Sequence, residues 1–143
     1  MTNTTEIANQ IASLVGDDRI RAPRGLEARA ATMIAAPADA AEIAEIVRKC
    51  EADKISIAAI GAARTLSEIR RAPVALGISL ERMARVVAYE PHDLTIVAEP
   101  GISVADLNAA VAPLAQRLPV DPRNPEATTI GALIAAHHAG PLR

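Results

Sequence analysis

The sequence predicts an α+β fold in which helices cover a mixed sheet of about five strands. Three observations carry that expectation. Four segments place apolar residues at helical spacing, and five short apolar runs lie between Gly, Pro and Asp punctuation. Their order along the chain is α, β, α, β, β, β, β, α, α, which is not the regular alternation of a parallel α/β protein.

The first helix is expected over Glu6–Val15, where Ile7, Ile11, Leu14 and Val15 share a stripe and Gly16 ends the pattern. Asp17 to Arg29 is charged and contains Pro23 and Gly25, so it reads as a connector without regular structure. The apolar run ATMIAAP, ending at Pro37, reads as the first strand. Asp39 then caps the second helix, and Glu42 completes a capping-box pattern. Ile43, Ile46, Val47 and Cys50 fall at i, i+3, i+4 and i+7, which makes Cys50 a core residue rather than a nucleophile.

ISIAAI (Ile55–Ile60) and VALGI (Val74–Ile78) read as buried strands. RVVAY and LTIVA flank Glu90-Pro91-His92-Asp93 and predict a hairpin. Pro100-Gly101 breaks the chain before a helix capped by Ser103, with Asp106 at its third position and a Val104, Leu107, Val111 stripe. LPVDPRNP, with three prolines, excludes a regular element. Thr128 is expected to cap a last helix of small residues that Gly140-Pro141 closes.

Composition narrows the function. The 143 residues, half of them apolar, are enough for one domain or one lobe and argue against disorder. There is no Trp or Phe and a single Tyr, so 32 alanines and the aliphatic residues must fill the core. A net charge of −2 without a basic block does not indicate a nucleic-acid surface. No apolar stretch approaches the roughly 20 residues that span a bilayer. The polar start is no signal peptide, and a lone Cys50 suits a reducing compartment, so the chain reads as cytoplasmic.

Neither G-x-G-x-x-G nor G-x-x-x-x-G-K-[ST] occurs. His137 and His138 would diverge by about 100° on a helix, which disfavours a shared metal; one buried and one solvated histidine is the simpler reading. What remains are small residues at turns and helix starts: Gly61 to Thr65 after a strand, Pro100-Gly101, Thr128 to Gly131, and Gly140-Pro141. Such places let a bulky ligand approach the backbone. On the residues alone they read as ordinary turns.

Taken in order, PADAAEIAEIVRKCEADKISIAAIGAARTL, VVAYEPHDLTIVAEPGISVADLNAAVAPLAQRLPVDP and EATTIGALIAAHHAGPLR resemble the FAD-binding domain of the vanillyl-alcohol oxidase (PCMH-type) flavoprotein family. The likeness runs from about Thr32 to Arg143 and is greatest to the FAD-binding subunit of glycolate oxidase. It implies an N-terminal helix and connector over 1–30, then the N-terminal part of an FAD-binding lobe over 31–143. It places Gly61, Ala62, Ala63, Arg64 and Thr65 on the loop that wraps the FAD pyrophosphate. Thr129, Ile130, Gly131 and Gly140 fall on a second stretch along the cofactor. Two family glycines of the loop are Ala62 and Ala63 here, and a third, in the second stretch, is Ala132. Arg64 is either a phosphate donor or a solvated surface arginine.

The family's covalent attachment uses a histidine in the loop. None stands between Gly61 and Leu66, so non-covalent FAD is expected. By resemblance, the complete enzyme would oxidise a 2-hydroxy acid, with other subunits of an oxidase complex as partners. In the family, later strands complete the domain and catalytic residues come from a later part. The chain is therefore expected to be incomplete at its C-terminus, inactive by itself and without a catalytic residue. The rival expectation is a degenerate half-domain that has lost flavin and serves as an interaction module.

Overall fold

The computed structural model describes residues 4–61 and 72–137. The chain divides into two compact units, Met1–Arg82 and Met83–Arg143.

The first unit opens with α1 (Thr4–Val15), which buries Ile7, Ile11 and Val15; Leu14 stays 37% exposed. The segment expected to lack regular structure contains a 3-10 turn (Asp17–Arg19), strand β1 (Ile20–Arg21) and a 3-10 helix (Gly25–Arg29). Two residues, one of them charged, carry no periodicity, so β1 does not show in the sequence; its ladder with β2 (Ile34–Ala35) makes it a strand. With β1, the described residues hold six strands in two sheets rather than about five.

α2 (Ala40–Ala52) forms where the capping pattern put it. Asp39 Oδ1 accepts the Glu42 N–H at 3.0 Å, and Glu42 Oε2 accepts the Ala38 N–H at 2.7 Å. Ile46 and Cys50 are buried, whereas Val47 turns outward at 37% exposure. The helix ends with Lys54 in the left-handed region (φ 57°) and the Ile55 N–H bonded to Cys50 O at 2.8 Å, a Schellman-type stop.

α2 carries the chain over to β3 (Ile57–Ile60), and β4 (Leu76–Ser79) follows. The four strands lie in the order β1-β2-β4-β3; β1 is antiparallel to β2, and β2, β4 and β3 are mutually parallel. Leu76 and Ile78 face the core made with Ile11, Ile46 and Cys50. Ile34 and Ile60 build a second cluster with Ala30, Ala31 and Val74. Gly77 sits against that second cluster, where a Cβ would come within 2.7 Å of Ile60 Cγ1 and 2.8 Å of Ile34 Cδ1. Glycine there lets two isoleucines close over the middle strand.

The second unit begins with the expected hairpin, β5 (Val86–Glu90) and β6 (Thr95–Ala98), paired antiparallel with a register shift between Val86 and Ala88. Arg85 fixes its base through bonds to Glu99, including Nη2 to Oε1 at 2.6 Å. α3 (Val104–Val111) buries Val104, Leu107 and Val111 as its stripe requires, and Ser103 Oγ accepts the Asp106 N–H at 2.9 Å. A 3-10 turn at Ala112–Leu114 follows. α4 spans only Ile130–Ala135, and its cap is Thr129 rather than Thr128. Thr128 Oγ1 instead donates to Asn124 O at 2.7 Å. The helix ends at Ala135 with Ala136 as its C-cap, before Gly140-Pro141, and His137 takes φ 53°.

Candidate functional site

Gly61 follows β3 directly and is exposed, one residue after the fully buried Ile60. It therefore stands at the carboxyl end of a parallel strand, where α/β proteins place ligand-binding loops. Ala62, Ala63, Arg64 and Thr65 lie outside the described residues, as do His138 and Gly140.

The second stretch is described by itself, within the second unit. Thr129 pairs with Ser103 as an isolated antiparallel bridge. Around that bridge the two helix starts are closed by each other's leading segments. The Ile130 N–H donates to Ile102 O at 2.9 Å and the Gly131 N–H to Pro100 O at 2.8 Å. In return, the Val104 N–H donates to Thr128 O at 2.9 Å and the Ala105 N–H to Pro125 O at 3.1 Å. Thr129 Oγ1 and Ser103 Oγ complete the caps by accepting from Ala132 and Asp106. A Cβ on Gly131 would stand 3.0 Å from both Pro100 Cβ and Pro100 O, so the glycine is required by the protein's own packing.

Helix starts attract anions because their first N–H groups are unpaired. Here those of Ile130, Gly131, Ala132, Val104, Ala105 and Asp106 are all engaged within the chain. This exchange of caps joins residues some 25 positions apart, and no spacing rule reveals it. The sequence showed a Ser, two Thr and a Pro-Gly, but not which carbonyl each helix start would meet.

Beside this region an apolar groove of about 390 Å³ is lined by Ile96, Val97, Leu118, Val120, Ile130 and Ile134, among others. Ile134 is 67% exposed and Val97 57%. A smaller cavity of about 90 Å³ adjoins Tyr89, whose hydroxyl donates to Gln116 Oε1 at 2.7 Å.

The charged residues settle into ion pairs that the sequence did not disclose. Arg21 grips Glu27 with two nitrogens, at 2.7 and 2.9 Å, and also bonds Glu81 at 2.9 Å. Arg19 pairs with Glu42. The facing guanidinium holds the carboxyls of Glu27, Glu42 and Glu99 below the usual carboxylate range. Burial raises the Cys50 thiol, which suits a core residue rather than a nucleophile. Among the described residues no group of three His, Cys, Asp or Glu is arranged to hold a metal, and no helix is long and apolar enough to cross a membrane.

The profile of the family described as FAD binding domain matches residues 31–143. The chain belongs to that family. No curated protein matches it. Solved structures share the fold at low identity. An alkyldihydroxyacetonephosphate synthase superposes with TM-score 0.77 at 17% identity, covering 95% of this chain and 32% of that one. A 4-ethylphenol oxidase from Gulosibacter chungangensis, in complex with isoeugenol, gives 0.74 at 16% identity, covering 90% and 28%. A p-cresol methylhydroxylase with substrate bound gives 0.66 at 17% identity, covering 86% and 27%. This FAD binding domain chain thus spans about a third of the length of the solved proteins it matches.

Proposed function

We propose that the chain binds FAD and supplies the flavin-holding part of a flavin-dependent oxidoreductase. The carrying observation is the family match over 31–143, with exposed Gly61 at the carboxyl end of β3 inside it. The FAD-binding domain proper begins near residue 31. Gly61, Ala62, Ala63, Arg64 and Thr65 form the pyrophosphate loop, with backbone N–H groups as donors and Arg64 as an added one. Thr129, Ile130, Gly131 and Gly140 meet the cofactor as a second stretch. Because the N–H groups of Ile130 and Gly131 are already bonded, they approach by bare backbone rather than by donating.

The flavin supplies the hydride-accepting ring; the protein holds and orients it. With no histidine from Gly61 to Leu66, the FAD is non-covalent, and acid precipitation should release it to the supernatant. The substrate class is a 2-hydroxy acid, on the likeness to the glycolate oxidase FAD-binding subunit, and the electrons pass to other subunits of a complex. A reducing cytoplasmic setting suits the single buried Cys50.

The direct test is titration of FAD, followed by quenching of its fluorescence, which no tryptophan obscures. Saturable quenching is expected. A protein that neither copurifies with flavin nor quenches it would leave the interaction-module reading, which the exposed groove beside Ile134 favours. Restoring glycine at Ala62 and Ala63 should tighten binding several-fold if the loop is the cradle, since bare backbone lets a phosphate approach. Unchanged affinity in that variant would remove the loop assignment while leaving FAD binding standing.

A further inference from the structure

We infer that Thr129 and Gly131 are positioning residues: they lock Pro100–Ala105 to Pro125–Gly131 by exchanged helix caps, in which the N–H groups of Ile130 and Gly131 are spent within the chain and are not donors to the FAD phosphates. The flavin part of this inference rests on the FAD reading above; the lock itself does not.

Four backbone bonds cross between the two segments, at 2.8, 2.9, 2.9 and 3.1 Å, and both cap oxygens accept an N–H of their own helix. A phosphate can recruit the Ile130 or Gly131 N–H only by displacing the Ile102 or Pro100 carbonyl. The displaced carbonyl would then lose its partner, a cost comparable to the bond gained. Gly131 has a second constraint, the 3.0 Å approach to Pro100, that no ligand is needed to explain. Asn124 braces the return segment, with its Oδ1 accepting the Ala127 N–H at 3.2 Å and its O accepting the Thr128 hydroxyl at 2.7 Å. The cluster sets where the chain after β6 stands relative to α4.

Amide hydrogen exchange on the whole chain, with and without FAD, tests this. The amides of Ile130, Gly131, Val104 and Ala105 should be slowed about a hundredfold or more before FAD is added, and FAD should not slow those of Ile130 and Gly131 further. If they exchange freely without FAD, whether or not FAD then protects them, the inference is overturned. If they are protected but FAD changes no amide anywhere, the lock stands and the FAD reading fails.

Thr129→Val should free the Ala132 amide, whose acceptor is the Thr129 hydroxyl, speed exchange at Ile130 and Gly131 as the helix start loosens, and weaken FAD binding about three- to tenfold; Thr129→Ser should restore all three. Weaker FAD binding in Thr129→Val with those amides still protected would mean that the Thr129 hydroxyl itself bonds the cofactor, and would overturn the positioning role. No change in either measurement would also overturn the positioning role.

Discussion

In the first unit every residue of β4 is buried, with a parallel neighbour on each side. In the second unit the β5–β6 hairpin has no third strand among the described residues, and Val97, Val87 and Leu94 stand 57%, 64% and 75% exposed. The same alanine-rich, nearly aromatic-free composition serves both. Small side chains close a core well where strands and helices approach from two faces. Over a two-stranded ribbon they are too short to cover the far side, and an isolated ribbon is marginal in water. The second unit relies instead on backbone bonds, the exchanged caps of α3 and α4, together with the Val104, Leu107 and Val111 stripe.

The contrast is sharpest for large side chains. Leu76→Ala, fully buried in β4, should cost about 2–5 kcal/mol in urea unfolding, whereas Ile134→Ala on the groove should stay within about 0.5 kcal/mol. Equal losses at the two sites would break the comparison.

Gly77→Ala should cost about 1–3 kcal/mol by overpacking against Ile60, Ile34 and the immobile Ala31 Cβ at 3.0 Å. A relieving companion, Ile34→Val, should recover part of that loss.

Ser103→Ala should cost about 1 kcal/mol and be felt in the second unit's amides before the first unit's.

Acid gives a smaller effect, because these pairs lie near the surface. Glu27 and Glu42 in the first unit and Glu99 in the second have lowered folded-state pKa values. Their stabilisation is present above the unfolded carboxylate range, near pH 4.3, and is lost as pH falls through the folded values. Unfolding titrations at pH 7 and pH 3.5 should show weakening in acid, and Glu42→Gln should flatten the dependence.

The smallest effect should be a gain. Leu94 holds φ 54° while 75% exposed, so Leu94→Gly should raise stability by up to about 1 kcal/mol. A loss would show that the leucine is covered in solution.

Local signals were the legible ones. Asp39 and Ser103 are the caps the sequence announces, since a capping oxygen and its N–H lie three residues apart. The stripe of α3 reads directly from its spacing. The choice between Thr128 and Thr129 was not legible, because either hydroxyl fits a cap and the decision falls to Ser103, which bridges to Thr129 from 26 positions away. The Ala-rich run after Gly131 favours helix, yet α4 ends at Ala135. Arg21 finds Glu81 at a separation of 60 residues, which no local pattern encodes. The family resemblance reached further than the patterns did, naming the FAD binding domain that the profile match over 31–143 then supported.

The strand order of the first unit has a consequence for synthesis. β4 lies between β2 and β3 yet leaves the ribosome after both, so Gly77 reaches its Met33 carbonyl only when some 40 later residues have been made. Until then the inner edges of β2 and β3 are open templates for any passing strand. A nascent chain arrested just before Leu76 should therefore be sensitive to protease and held by chaperones, and one released past Ser79 should be neither.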